Sequence, residues 1–130
     1  VFLGKLGDLL RQADFVSIHV PLILQPYHLI GEPQFKLMKP TAYLINTSRG
    51  PVVDETALAA ALKNKIIKGA AIDVFEFEPK VTPDLLGLDN IILTPHIASA
   101  TEETRAKMSE LAAANILEAL EGRVPPNLLK

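Results

Sequence analysis

Two spacings of apolar residues alternate along the chain, and each switch marks the boundary of an element. Leu6 to Gln12 has helical spacing and reads as a short amphipathic helix. Phe15 to Val20 is an apolar, β-branched run stopped by Pro21, which predicts a strand. A weaker helical pattern covers Glu32 to Met38, and a second strand follows over Ala42 to Asn46. Asp54 suits the N-cap of a helix running to about Lys65, with Leu58 and Leu62 four apart on one face. Gly69 to Val74 and Ile91 to Thr94 supply two further strands, the last ended by Pro95. From Thr101, a plausible cap followed by Glu102 and Glu103, a longer helix runs to about Glu121. Met108, Leu111, Ala112, Ile116, Ala119 and Leu120 lie near one of its faces, and Gly122 with Pro125-Pro126 stops it.

Near-continuous apolar strands separated by helices are what a parallel sheet covered on both faces requires. The expected class is therefore α/β, doubly wound. No internal repeat, low-complexity tract or linker interrupts it. At 130 residues the chain holds one domain with a real core, and is too short for a second, substrate-binding lobe. It opens on Val1 without a methionine or a signal-peptide pattern, which favours a fragment or a trimmed chain.

Composition narrows the chemistry. Apolar residues make up 48% and charged residues 22%, an ordinary globular balance. With a net charge of −2 and scattered Lys and Arg, neither nucleic acid nor an anionic membrane is an expected partner. The absence of cysteine excludes thiolate metal sites and cysteine nucleophiles, and suits a reducing compartment. No metal site is expected. No apolar run approaches the roughly 18 to 20 residues that span a bilayer.

In open α/β sheets, ligands bind beyond the carboxyl ends of the strands. There the chain places His19-Val20-Pro21, then Asn46-Thr47-Ser48-Arg49-Gly50, then Asp73, Glu76 and Glu78, then Pro95-His96. An arginine can grip a carboxylate with two parallel hydrogen bonds. A histidine can pass a proton to a carbonyl oxygen while hydride reaches its carbon, and a neighbouring carboxylate orients the imidazole. The set suits reduction of a 2-oxo acid. Blander readings stand beside it: Arg49 as a turn residue paired to a surface acid, His96 as a loop cap, and the non-catalytic one of Glu76 and Glu78 as a solvated acid. His28 has no partner suggested by the sequence and reads as structural.

Four segments carry a resemblance: Asp14 to Leu22, Leu44 to Asp54, Gly69 to Glu76, and Thr94 to Ile97. Their order and gaps resemble the D-isomer-specific 2-hydroxyacid dehydrogenases over about Leu6 to Leu129. The resemblance implies that Arg49, in an Asn-x-x-Arg-Gly motif, binds substrate carboxylate. It makes Glu78, just before Pro79, the catalytic glutamate rather than Glu76, and His96 the acid/base. Asp73 matches a contact to the nicotinamide carboxamide. His19, Pro21, Thr47, Ser48, Arg49 and the stretch from His96 through Ala98 to Ser99 match further cofactor contacts. Ser99 to Arg105 looks most like the glyoxylate and hydroxypyruvate reductase branch.

The implied cofactor is NAD or NADP, and the implied parent a cytoplasmic homodimer acting on a small 2-oxo acid. Residues 1–100 would be the nicotinamide half of a Rossmann-type NAD(P)-binding domain, and residues 101–130 the crossover helix and tail. Two departures stand out. Ile23-Leu24-Gln25-Pro26 replaces the threonines usual in relatives, and no Gly-x-Gly-x-x-Gly is present, since no strand precedes Gly4-Lys5-Leu6-Gly7. The missing part is therefore expected on the N-terminal side, with Val124 to Leu129 resembling the family's closing segment. A non-catalytic nucleotide-sensing relative, or a truncated inactive product that self-associates, are the alternatives.

Overall fold

The computed structural model describes residues 3–21 and 27–129, which form two compact units, Val1–His96 and Ile97–Lys130. The departure at Ile23 to Pro26 lies outside the described residues. In the first unit, β1 (Phe15–Ile18), β2 (Tyr43–Asn46), β3 (Gly69–Ile72) and β4 (Ile91–Leu93) form a parallel sheet in chain order. Helix α1 (Leu6–Gln12) precedes β1, α2 (Glu32–Phe35) and α3 (Glu55–Lys63) fall between strands, and a 3-10 turn at Pro83–Leu85 leads to β4. The α/β class and the parallel order follow the expectation.

All four strands are shorter than the apolar runs that announced them. Val74 and Phe75 are buried although they lie beyond the end of β3, so their hydrophobicity reports a packed loop rather than a strand. The helix expected over Glu32 to Met38 stops at Phe35, because the Leu37 and Met38 amides turn to carbonyls three residues back. Asp54 caps α3 as expected, its Oδ1 accepting from the Ala57 amide at 2.9 Å. That helix ends two residues early, where Lys65 enters the left-handed region with φ 55°.

Strand order explains the layering. Right-handed crossovers that always step the same way along a sheet put every connecting helix on the same face. Val16, Ile18, Leu44, Ala70 and Ile72 on that face join Leu58, Leu62 and Phe35 in one core. The opposite face is left open among the described residues. Phe15 is 70% and Ile92 66% exposed there, and Phe15 stacks on Tyr43 with ring centroids 5.5 Å apart.

The second unit is dominated by α4 (Glu102–Leu120). The Thr101 hydroxyl accepts from the Thr104 amide at 3.2 Å, and Glu102 and Glu103 occupy the first turn, where they complement the helix dipole. Met108, Leu111, Ile116, Leu117 and Leu120 are all exposed. Among the described residues no helix is long and apolar enough to cross a membrane.

An apolar sheet face and an unpaired edge strand favour association. Sedimentation velocity of the isolated 130-residue chain should show a mass that rises with concentration, lowered by the double change Phe15→Lys and Ile92→Lys. A single monomeric species across the whole range would overturn this.

Candidate active site

Ile18, Asn46, Ile72 and Leu93 stand in register across the four strands, so the loops that follow them leave the sheet along one edge. Asn46 shares the buried face of β2 with Leu44, two residues earlier. Its Oδ1 accepts from the Ser48 amide at 3.0 Å and the Ser48 hydroxyl at 2.8 Å, and its Nδ2 donates to the Arg49 carbonyl at 3.0 Å. A buried amide thus folds the Thr47–Arg49 loop around itself.

Arg49 is exposed, and its Nη1 donates to the Ser48 carbonyl at 2.6 Å. The guanidinium makes no salt bridge among the described residues, so the reading of a turn arginine paired to a surface acid does not hold here. Gly50 is packed against the chain beyond β3. A Cβ at Gly50 would lie 1.9 Å from the Phe75 carbonyl carbon, 2.0 Å from its oxygen and 2.4 Å from the Glu76 nitrogen. Only glycine permits this approach.

That approach brings the Arg49 loop beside the segment carrying both glutamates. Glu78 Oε1 accepts from the Phe75 amide at 3.0 Å, and Glu78 Oε2 lies 3.1 Å from His96 Nδ1. The Phe75 amide is the main reason the Glu78 carboxyl sits below the usual carboxylate range. The His96 hydrogen bond comes next; partial burial opposes both, and the charges of His96 and Arg49 add to them. An ionised carboxylate only accepts, so His96 Nδ1 carries the proton in this contact and Nε2 is left for another partner. Glu78 and His96 side chains are 39% and 52% exposed, open to a ligand.

His96 adopts φ 57°, and its amide donates to the Thr94 carbonyl at 3.0 Å, closing a tight turn. A left-handed backbone at a non-glycine residue costs about 1 to 3 kcal/mol and collects at functional sites. A cleft of about 370 Å³ opens beside the pair, walled by Phe75, Val81, Leu86 and Leu93. A second, shallower cleft runs past Arg49 and Phe77 to the same Glu78.

The other candidates divide. Asp73 is buried at 4% exposure beyond β3 and accepts from the Thr94 hydroxyl at 2.5 Å. Ser48 is half-buried and Thr47 exposed. His19 is exposed after β1, its Nε2 2.7 Å from the Ser17 hydroxyl, and Pro21 follows it, also exposed. Ala98 and Ser99 fall in the second unit, both exposed.

Glu76 corrects the reading of a solvated acid. Its side chain is 7% exposed and accepts from His28 Nε2 and the Tyr27 hydroxyl, both at 2.8 Å. Tyr27 stacks on His28 at 4.1 Å, and its phenol is pushed up first by that hydrogen bond, then by burial and nearby negative charge. His28, partnerless by sequence, also lies 3.7 Å from Asp54. Asn46 and Gly50 went unassigned by sequence reasoning. The parity of Asn46 with Leu44 is the signal that places it inward.

Residues 2–98 match the model of the family described as D-isomer specific 2-hydroxyacid dehydrogenase, NAD binding domain. The chain is 54% identical over 121 residues to the glyoxylate reductase of Thermococcus litoralis, covering 93% of this chain and 37% of that protein. It resembles the NAD-complexed D-isomer specific 2-hydroxyacid dehydrogenase of Lactobacillus delbrueckii at a TM-score of 0.85 and 33% identity, over 95% of this chain and 42% of that one. It also resembles the NADPH-dependent glyoxylate/hydroxypyruvate reductase of Sinorhizobium meliloti, bound to NADP and malonate, at a TM-score of 0.82 and 38% identity, over 88% and 36%. The chain thus spans well under half the length of these relatives.

The Gly50 approach makes a direct test. Gly50→Ala should destabilise the fold by about 1 to 3 kcal/mol or more, read as a lower urea midpoint at unchanged slope. An unshifted midpoint would show that the Phe75–Glu76 peptide is not held where it is described.

Proposed function

The chain belongs to the D-isomer specific 2-hydroxyacid dehydrogenase family, and from this we propose that it is the reactive part of a longer NAD(P)-dependent reductase of small 2-oxo acids such as glyoxylate or hydroxypyruvate. Residues 1–100 then supply part of the NAD(P)-binding domain and residues 101–130 the helix leading out of it. The observation that carries the reading is the Glu78–His96 contact at 3.1 Å on the carboxyl edge of a parallel sheet, with an arginine on the adjoining loop that makes no salt bridge among the described residues.

The donor set fits a nicotinamide. Asp73 is a buried carboxylate next to Thr94 at that edge, an acceptor suited to the N–H groups of a carboxamide. When bound, the reduced cofactor supplies hydride. Arg49 uses one of its five N–H donors on Ser48, leaving a planar fork for the substrate carboxylate. His96 gives the Nε2 proton to the carbonyl oxygen as hydride reaches the carbon, forming the 2-hydroxy acid; oxidation returns both. Glu78, ionised and anchored by Phe75, holds Nδ1–H and thereby the direction of Nε2.

Oxidation of NADH or NADPH by glyoxylate and hydroxypyruvate, in the full-length polypeptide carrying this chain, tests the assignment. Arg49→Lys should chiefly raise KM, and His96→Ala should lower kcat by about 100- to 10,000-fold. The low pKa of Glu78 keeps its carboxylate ionised into acid, so activity that needs this charge is full above that pKa and lost as pH falls through it. Glu78→Gln should lower kcat and remove this acid limb. Near-normal turnover in His96→Ala, or an acid limb removed by Glu76→Gln instead, would sink the assignment.

A further inference from the structure

Glu55 has no part in the chemistry above, yet it is a carboxylate only 2% exposed. Its place in the first turn of α3 offers an ordinary explanation, since acids there complement the helix dipole. An exposed side chain would serve that purpose equally well. Burying a carboxylate is costly unless its oxygens are satisfied, and here each oxygen takes a donor from the segment that presents Glu78. Oε1 accepts from the Glu76 amide at 2.7 Å, and Oε2 accepts from the Thr82 hydroxyl.

These two bonds bracket Glu78 in sequence. The amide just before the one held by Glu55 is that of Phe75, which donates to Glu78 Oε1. The two N–H groups lie in consecutive peptide planes that meet at the Phe75 Cα, so a shift of Phe75 would disturb both bonds at once. Gly50 packs against the Phe75–Glu76 peptide, with no room for a Cβ. The peptide is thus pinned by contact from one loop and by charge-assisted hydrogen bonding from α3.

We propose that Glu55 is a positioning residue for the reaction: its buried carboxylate clamps the Glu76 amide and the Thr82 hydroxyl, and so aims Glu78 at His96. This rests on the function proposed above for Glu78 and His96. It does not touch substrate or cofactor. Glu55→Gln can keep the Glu76 amide on its oxygen and donate its own amide to the Thr82 hydroxyl, so it conserves the clamp. Glu55→Ala loses both bonds.

Two readouts in the full-length polypeptide decide the matter. In turnover, Glu55→Ala should lower kcat about a hundredfold, the scale of a small misplacement of a reacting group, with the cofactor KM unchanged and Glu55→Gln close to wild type. In a Glu78→Gln background the same Glu55→Ala change should cost less than about threefold, because residues acting as a unit are not additive. In carbon-13 NMR, the carboxyl resonance that disappears in Glu78→Gln should titrate below the ordinary carboxylate range in wild type. In Glu55→Ala it should move up toward that range, since the Phe75 amide no longer faces it. Equal losses of kcat in both backgrounds, or an unmoved Glu78 titration in a folded Glu55→Ala, would overturn the proposal. Should Glu55→Ala not fold, Thr82→Val decides by the same readouts with smaller effects in the same direction. Absence of any 2-oxo acid reduction by the wild type would defeat the proposed function alone, because the Glu78 titration still reports the clamp.

Discussion

The peptide between Phe75 and Glu76 is the fixed point of the carboxyl edge. Gly50 lies against it so closely that a methyl group could not intervene; the peptide's own N–H is held by Glu55, and the N–H of the preceding peptide holds Glu78. Loops after different strands have no covalent reason to keep a common geometry. Here the loop after β2 and the loop after β3 meet where Gly50 packs on the Phe75–Glu76 peptide, which keeps the backbones carrying Arg49 and Glu78 close together. A buried amide, Asn46, completes the arrangement by tying Ser48 and the Arg49 carbonyl to the end of β2.

The sheet that carries these loops is one-sided for a topological reason. Four parallel strands laid down in chain order accumulate their crossovers on one face. The other face keeps a stacked Phe15 and Tyr43 with Lys68 over the Tyr43 ring at 5.4 Å, an apolar surface with a cationic margin. Arg49, Glu78 and His96, the candidate reacting groups, follow the carboxyl ends of the strands and do not lie on that face. The chemistry and the unfinished packing are therefore separate properties of the same sheet.

What could be read in the sequence followed from spacing and composition. Apolar runs found all four strands, and Asp54 found the start of α3, because these signals are local. The run over β3 overshot since Val74, though beyond the strand, is buried, and burial looks the same in either setting. Long-range pairs were out of reach. His28 and Glu76 are 48 positions apart, and Glu55 and Thr82 are 27 apart; nothing near Glu55 distinguishes a buried clamp from an exposed helix-dipole acid. The roles assigned to Arg49, Glu78 and His96 came from family resemblance, and geometry adds the contact between the last two.

Glu76 and Glu78 show how one segment can give two carboxylates opposite settings. Each faces a histidine, Glu76 meeting His28 at 2.8 Å and Glu78 meeting His96 at 3.1 Å. The Glu76 side chain is 7% exposed, and the same Oε1 that meets His28 also accepts from the Tyr27 hydroxyl. Glu78 is 39% exposed beside a histidine 52% exposed, and a proton passed between that histidine and a ligand has somewhere to go. Side chain chemistry is the same in the two pairs; access to solvent and ligand separates them. The less exposed glutamate is thereby committed to contacts within the chain, and the more exposed one is left open to a ligand.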